Sequence, residues 1–164
     1  MKPNLNLGSS IKLIATDFDG VLTDGSLYVD DNMTTSKKMS YKDLMGIFQA
    51  IKNGINIAII SGETSQAIEY LKRKCPTIDV YQDVRIKIDV LKQLVEKYYL
   101  TPEEVVYIGD DVNDIMCLEA VKYKVTVPNA NWQVKNISGI QITRSNGGDG
   151  AFREVVDSII CPKF

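Results

Sequence analysis

The fold is decided by residues 11–25, which read IKLIATDFDGVLTDG. Their first part, Ile11 to Ala15, is the short apolar run that is typical of a buried strand in a parallel sheet. Asp17 and Asp19 follow it, and side chains two residues apart in an extended chain point to the same side. Open parallel sheets bind ligands at the carboxyl ends of their strands. The pair therefore predicts a functional site, although Asp and Gly are also ordinary turn residues.

The rest of the chain alternates between strand and helix patterns. Apolar runs at residues 55–60 and 105–108 each precede a helical pattern. This alternation predicts an α/β fold with a doubly wound, mostly parallel, Rossmann-like sheet. Residues 26–41 differ, since two short strand patterns around a polar turn predict a β-hairpin flap. We expect residues 1–10 to be a flexible arm and residues 11–164 to form a single domain.

The composition excludes several classes of function. The chain has 164 residues and a net charge of −2 without a basic cluster, so we expect neither a nucleic-acid partner nor a membrane partner. No apolar run is long enough to span a bilayer, and the first ten residues lack the apolar core of a signal peptide. The three cysteines form no CxxC pair, which is typical of a reducing compartment, so we expect a cytoplasmic protein.

The sequence contains no histidine. This excludes Ser-His and Cys-His nucleophile pairs, zinc sites built on histidine, and phosphohistidine chemistry. Acid–base catalysis and metal binding must therefore depend on carboxylates and lysines. Carboxylate ligands favour hard cations such as Mg²⁺.

A second group of acidic residues follows another strand pattern. Asp110, Asp111 and Asp114 come directly after residues 105–108. If this strand lies beside the first one, four or five carboxylates crowd one edge of the sheet, and like charges at short distance repel each other strongly. A Mg²⁺ ion held by some of these carboxylates, by water and by a phosphate oxygen would relieve the repulsion.

A third strand end carries a hydroxyl group and a flexible amide instead of acids. Ser61 and Gly62 lie between an apolar run and the next helical pattern, a location that favours an anion. Lys87 adds a positive charge near the start of a later helix. A metal site, an anion site and a cation are the recurring parts of phosphoryl transfer, which is the chemistry that these residues predict.

These segments resemble the four ordered motifs of the haloacid dehalogenase-like phosphatases. The motifs are Asp17-Phe18-Asp19-Gly20-Val21, Ser61-Gly62, Lys87 and Gly109-Asp110-Asp111-Val112-Asn113-Asp114. Finer features resemble a small subfamily that acts on 3-deoxy-manno-octulosonate 8-phosphate (KDO 8-phosphate) and on nine-carbon relatives of this sugar acid. They are the extension of the first motif to Gly25, Thr143-Arg144, and residues 147–154. The resemblance covers roughly residues 11–160.

The resemblance assigns a role to each motif residue. It implies that Asp17 is the nucleophile that forms an aspartyl phosphate, and that Asp19 is the general acid and base. Mg²⁺ would contact the Asp17 carboxylate, the Asp19 carbonyl and Asp110, with Asp111 acting through water. The phosphoryl oxygens would be held by Ser61, the Gly62 amide and the catalytic Lys87, which Asp114 would orient.

The subfamily resemblance also implies an assembly and a substrate class. Its members lack a large cap domain, and in this chain only the hairpin of residues 26–41 separates the first motif from the first helix. In relatives such hairpins assemble a homotetramer, in which neighbouring subunits complete each other's active sites. The implied substrate is a small sugar-acid phosphate, and the implied role is the biosynthesis of surface sugars such as lipopolysaccharide or sialic-acid-like sugars.

The choice between an eight-carbon and a nine-carbon substrate stays open at this point. Glu63 stands where the octulosonate phosphatases usually have arginine, and Glu63 and Lys74 resemble residues of the KDN and N-acylneuraminate 9-phosphate phosphatases. Both can equally be ordinary helix residues placed by the helix dipole. Further candidates for contact with the sugar or its carboxylate are Arg144, Gly147, Gly148 and Arg153. The last of these can equally form a structural ion pair.

Two other classes of protein share parts of this pattern. A receiver-type signalling domain also combines an acidic cluster, Mg²⁺, a phosphorylated Asp and a Lys. Its lone phosphoacceptor follows a middle strand, however, where this chain has Ser61-Gly62. The second alternative is an inactive oligomerisation module, and the presence of all the motif acids argues against it.

Overall fold

Eight strands and six helices make up residues 5–161, which are the part of the chain described by the computed structural model. The strands are β1 (Leu13–Thr16), β2 (Tyr28–Val29), β3 (Thr35–Ser36), β4 (Asn56–Ile60), β5 (Asp79–Tyr81), β6 (Val105–Ile108), β7 (Tyr123–Thr126) and β8 (Gln141–Ile142). The helices are α1 (Tyr41–Lys52), α2 (Gln66–Lys74), α3 (Lys87–Lys97), α4 (Ile115–Ala120), α5 (Trp132–Lys135) and α6 (Ala151–Ile160). None of them is long and apolar enough to cross a bilayer.

Six of the strands form one parallel sheet in the order β5-β4-β1-β6-β7-β8. The predicted doubly wound α/β fold is therefore confirmed. The chain builds outward from β1 to β4 and β5, and then returns to the other side of β1 with β6, so that the strand order reverses at β1. Thr16 pairs with both Ile59 and Ile108, which brings the residues after all three strands to one edge. Ligands bind at such a reversal in open α/β sheets.

Helices cover both faces of this sheet. Ile14 belongs to the core cluster that includes residues of α1, α2 and α6, while Leu13 and Ala15 belong to the cluster with α3, α4 and α5. Alternate residues of a strand point to opposite faces, so β1 is buried on both sides. This double burial explains its continuous apolar run.

The hairpin predicted for residues 26–41 is present as the antiparallel pair of β2 and β3. Its ladder is short, and an antiparallel bridge between Thr23 and Met39 closes its base. The strand residues of the hairpin are exposed, unlike those of β1. The hairpin therefore projects from the sheet edge directly after the first motif.

The start of the described chain is packed against the domain. Leu5 and Leu7 are buried in the core cluster of α1, α2 and α6. Asn6 exchanges two hydrogen bonds with Gln141: its amide donates to Gln141 Oε1 over 2.6 Å, and its carbonyl accepts from Gln141 Nε2 over 3.2 Å. Residues 5–7 therefore pack against the domain, and the flexibility expected for residues 1–10 stays a prediction, with residues 1–4 outside the described range.

Candidate active site

Three acidic side chains converge where β1 and β6 end. Asp17 follows β1, while Asp110 and Asp114 follow β6. One carboxylate oxygen from each lies within 4.8 Å of the others. Asp17 and Asp114 are buried, and Asp110 is partly buried. The structure thus brings together the two acidic groups that the sequence places at separate strand ends.

Lys87 is the cation of this cluster. It is the first residue of α3, and its Nζ lies 2.9 Å from Asp17 Oδ1 and 2.8 Å from Asp114 Oδ1. Its side chain is only 1% exposed. Burial by itself would lower the pKa of Lys87, but Asp114 and Asp17 outweigh burial and raise that pKa. The lysine is therefore a fixed positive charge between two carboxylates.

Both oxygens of Asp114 already accept hydrogen bonds. Oδ1 accepts from Lys87 and from the Tyr107 hydroxyl, each over 2.8 Å. Oδ2 accepts from the backbone amides of Asp110 and Asp111, over 3.1 Å and 3.3 Å. Asp114 therefore positions Lys87 and the turn after β6. Tyr107 was not predicted from the sequence. A tyrosine in an otherwise aliphatic buried strand could have indicated a polar network there, because its hydroxyl group needs a hydrogen-bond partner.

The remaining acids carry more negative charge than one lysine balances. Burial raises the pKa of Asp17 well above its usual value, Asp114 raises it further, and Lys87 opposes the shift. Burial, together with Asp114 and Asp111, raises the pKa of Asp110 to about 7. Hard oxygen ligands of this kind suit Mg²⁺, so the donor set fits the expected ion.

Asp111 lies beside this cluster but does not belong to it. The residue is exposed, and its Oδ1 accepts from the Val112 amide over 2.8 Å as a cap of the following 3₁₀ turn. The motif resemblance implied that Asp111 contacts a metal through water, and this contact stays a prediction.

Three glycines allow the loop after β1 to pack closely around the acids. Gly20 has a positive φ of 81°, and a Cβ atom there would lie 1.8 Å from Asp110 Oδ2. A Cβ atom on Gly147 would lie 1.8 Å from the Gly20 carbonyl oxygen, and Gly148 donates its amide to the Val21 carbonyl over 2.9 Å. Gly147 and Gly148 are buried and support this loop. Their predicted contact with the sugar stays a prediction.

Asp19 lies in the same loop, and its side chain faces the hairpin. Its Oδ2 lies 2.7 Å from Lys37 Nζ, and the Thr23 hydroxyl donates to its Oδ1 over 3.4 Å. Sequence reasoning missed Lys37, because nothing in a local pattern links a lysine of the hairpin to an acid 18 residues earlier.

Ser61 and Gly62 follow β4 at the same edge. The Ser61 hydroxyl is buried and donates to the Glu63 carbonyl over 2.9 Å. Glu63 is exposed. Lys74 lies at the far end of α2, about 13 Å along the helix axis, with its Nζ 5.6 Å from the centre of the Tyr70 ring. The structure therefore separates Lys74 from the acids of its own chain.

Arg144 and Arg153 line another part of the surface. They border a cavity of about 810 Å³ beside α1 and α6, and none of the lining residues belongs to the acidic cluster. Arg153 Nε lies 2.7 Å from Asp157 Oδ1, which supports the alternative of a structural ion pair. Contact of either arginine with a substrate stays a prediction.

Comparisons with known proteins agree with this geometry. Residues 65–155 match the haloacid dehalogenase-like hydrolase family. The 3-deoxy-D-manno-octulosonate 8-phosphate phosphatase KdsC of Escherichia coli K12 is 34% identical over 154 residues, which is 92% of this chain and 80% of the relative. The protein of the same name from Yersinia pestis is 32% identical over 152 residues, which is 93% of this chain and 81% of the relative.

Solved structures are also similar to this chain in both fold and sequence. The crystal structure of 3-deoxy-D-manno-octulosonate 8-phosphate phosphatase from Moraxella catarrhalis, in complex with magnesium, phosphate and KDO, has a TM-score of 0.87 and 31% identity. The match covers 93% of this chain and 87% of the Moraxella catarrhalis chain. The cobalt-bound phosphatase of Haemophilus influenzae has a TM-score of 0.85 and 32% identity, covering 93% of this chain and 88% of its own.

Proposed function

The chain belongs to the haloacid dehalogenase-like hydrolases, within their family of KDO 8-phosphate phosphatases, and we propose that it removes the terminal phosphate of a 3-deoxy-2-ulosonic acid phosphate. The observation that carries this proposal is the contact of Lys87 with both Asp17 and Asp114, beside Asp110. It combines a nucleophile, a fixed cation and metal ligands at one sheet edge, which are the parts that phosphoryl transfer requires.

Asp17 is the proposed nucleophile. In the first step one of its carboxylate oxygens attacks phosphorus, and the bond between phosphorus and the terminal oxygen of the sugar breaks. Asp19 donates a proton to this oxygen, so the sugar leaves as an alcohol. Lys87 stays beside Asp17 and balances charge on the phosphoryl oxygens.

Asp19 changes its role in the second step. As a carboxylate it takes a proton from a water molecule, and the water oxygen attacks the phosphorus of the aspartyl phosphate. The bond between phosphorus and Asp17 breaks, which restores the Asp17 carboxylate and releases inorganic phosphate. Asp19 keeps the proton for the next cycle.

Asp17, Asp110 and the Asp19 carbonyl are the proposed ligands of Mg²⁺, with Asp111 acting through water. Asp114 is not among them, because its oxygens already accept from Lys87, Tyr107 and two amides. Mg²⁺, when bound, would neutralise charge on the transferring phosphoryl group and reduce the repulsion between the carboxylates.

Ser61 and Gly62 are the proposed partners of the phosphoryl oxygens, together with Lys87. The register of the sheet supports this role, because Ile59 pairs with Thr16. Ser61, which follows β4, therefore lies beside the loop that carries Asp19. The Ser61 hydroxyl can turn from the Glu63 carbonyl to a phosphate oxygen, since a hydroxyl group rotates freely about its bond.

KDO 8-phosphate is the substrate that we assign first, because relatives that are 32–34% identical over more than nine-tenths of this chain carry this activity in their names. A nine-carbon KDN or N-acylneuraminate 9-phosphate is the second candidate, and the observation that favours it is Glu63. This residue is exposed directly beside Ser61, where a substrate bound through its phosphate would extend.

A homotetramer is the proposed assembly. The hairpin exposes large apolar side chains to solvent, among them Val29 at 59% and Met33 at 85%. Exposed apolar patches of this kind mark interaction sites. A monomer by light scattering that retains full activity would contradict this part of the proposal. The expected cytoplasmic location stays a prediction.

Phosphate release from a panel of sugar phosphates, with and without Mg²⁺, tests the proposed function. We expect Mg²⁺-dependent release from KDO 8-phosphate, with kcat/KM above that for the nine-carbon 9-phosphates. A preference for the nine-carbon esters that Glu63→Arg reverses would select the second candidate. No release from any ester would contradict the phosphatase, and stable phosphorylation of the chain would favour a receiver-type domain.

A further inference from the structure

The base of the hairpin holds the Asp19 carboxylate from both sides. Thr23 lies on the outgoing arm, and its hydroxyl donates to Asp19 Oδ1 over 3.4 Å. Lys37 lies on the returning arm, and its Nζ is 2.7 Å from Asp19 Oδ2. The bridge between Thr23 and Met39 ties the two arms together at this level. Each oxygen of the carboxylate therefore has a partner on a different arm.

Lys37 differs from an ordinary surface lysine in its surroundings. Its side chain is 13% exposed, and its Nζ also lies 5.8 Å from the centre of the buried Phe18 ring. The ion pair between Lys42 and Asp149 has a similar length, 2.9 Å, but its side chains are 64% and 65% exposed. Exposed pairs restrain their side chains weakly, because water competes for both charges. The side chains of Lys37 and Asp19 are only 13% and 33% exposed, so their pair is the stronger restraint.

We infer that Lys37 is a positioning residue for the hydrolytic reaction, which aims the Asp19 carboxyl group at the leaving oxygen of the substrate. This inference rests on the proposed function, since it takes Asp19 as the general acid and base. Proton transfer needs the two oxygens within hydrogen-bond distance, and small misplacements of a catalytic group are costly. The hairpin would thus contribute to catalysis in the active site of its own subunit.

The effect of a misplaced Asp19 carboxyl group depends on the leaving group of the substrate. The terminal oxygen of a sugar leaves as a strongly basic alkoxide unless it receives a proton, whereas p-nitrophenolate is a weak base and leaves without one. A misaligned general acid therefore slows the first step, formation of the aspartyl phosphate, for the sugar phosphate and leaves this step almost unaffected for p-nitrophenyl phosphate. The second step, in which Asp19 is the general base, is the same for both substrates and does not enter kcat/KM, because loss of the leaving group precedes it. Damage to Asp17, to the metal site or to the fold slows both substrates together.

The experiment measures kcat/KM of Lys37→Met for KDO 8-phosphate, phenyl phosphate and p-nitrophenyl phosphate at saturating Mg²⁺. We expect kcat/KM to fall about tenfold or more for the sugar phosphate, somewhat less for phenyl phosphate, and less than about twofold for p-nitrophenyl phosphate. The two aryl esters lack the sugar, so their ratio reports on proton transfer and not on sugar recognition. Lys37→Arg keeps the charge and the donors, and it should restore most of the ratio.

Lys38→Met is the matched control, because Lys38 is the exposed neighbour in the same arm of the hairpin. It should keep wild-type values for all three esters. Equal losses on all three esters in Lys37→Met, or no loss on any, would overturn the role of Lys37 while leaving the phosphatase intact. A wild-type protein that hydrolyses none of the esters would instead contradict the proposed function.

Discussion

Within residues 5–161, buried acidic side chains lie in two places, and their charge is balanced differently in each. Asp43, in α1, is fully buried, and its oxygens accept from the amides of Gly150 and Arg153 over 3.0 Å each, at the start of α6. Burial raises the pKa of Asp43, and these backbone amides oppose the shift. At the edge of β1 and β6, by contrast, three carboxylates share one lysine.

This difference separates a structural acid from a reactive site. Asp43 finds its donors in the backbone, at the positive end of a helix, and needs nothing that is not part of the fold. In the cluster the donors converge on Asp114, while the pKa values of Asp17 and Asp110 stay raised. An excess of acid over donors favours a bound cation, and Mg²⁺ is the ion that we propose.

The largest effect is expected for Asp17→Asn. The amide has nearly the same shape but does not attack phosphorus, so kcat should fall by more than about a thousandfold. Removing one charge from the crowded cluster should leave the melting temperature of the metal-free protein unchanged or higher. Phosphate release and thermal unfolding without Mg²⁺ measure the two results. Retention of a tenth of the activity, or a clear loss of stability, would place Asp17 with Asp43 as a structural acid.

Asp43→Ala should show the opposite behaviour. It leaves buried amides at the start of α6 without an acceptor, so we expect the free energy of unfolding to fall by about 2–4 kcal/mol. Denaturant unfolding measures this loss, and Mg²⁺ affinity below the transition should match the wild type. Asp149→Ala is the control, because this exposed residue pairs with Lys42 at the same junction and should change stability little. Weakened Mg²⁺ binding in Asp43→Ala would show that the two sites are coupled.

The convergence of acids at one edge of the sheet was predictable from the sequence, because it follows from local patterns. Asp17 and Asp110 each end a short apolar run, and neighbouring parallel strands bring their carboxyl ends to one edge. Lys87 was found as the basic residue at the start of α3. The fold class followed in the same way from the alternation of strand and helix patterns.

The contacts that depend on distant partners were not predictable. Asp43 lies in the first turn of α1, which Ser40 caps, and it accepts hydrogen bonds from residues 107 and 110 positions later. Leu5 and Leu7 lack the periodicity that would reveal burial. Lys37 reaches Asp19 only because the hairpin folds back at Thr23 and Met39. Each contact depends on tertiary geometry, which local propensity does not contain.

Mg²⁺ binding should depend on pH in a way that Asp43 does not share. The pKa of Asp110 is raised from 3.8 to about 7, so the metal-free folded protein binds more protons than the unfolded chain between these values. Its stability without metal should therefore fall as the pH rises through this window. Mg²⁺ competes with the proton, so its Kd should rise about tenfold per pH unit below pH 7. Calorimetric titration in buffers of different ionisation enthalpy measures both the Kd and the proton released.

A Kd for Mg²⁺ that stays constant between pH 5 and pH 7 would contradict this distinction. Asp110 would then be ionised without the metal, and the cluster would balance its charge internally, as Asp43 does. Asp110→Asn provides the check, since it should bind Mg²⁺ weakly at every pH and remove the part of the pH dependence that Asp110 contributes.

The smallest effect is expected for Tyr107→Phe, which removes one of the donors to Asp114. A single hydrogen bond of this kind is worth about 0.5–1.5 kcal/mol, so kcat should fall about threefold to tenfold as Lys87 loses its fixed position. Tyr98→Phe is the control, because the Tyr98 hydroxyl also donates to a carboxylate, that of Asp79, outside the site. It should leave kcat within about twofold. If Tyr107→Phe lowered stability but not kcat, the network around Asp114 would be structural, and the contrast with Asp43 would be confined to Asp17 and Asp110.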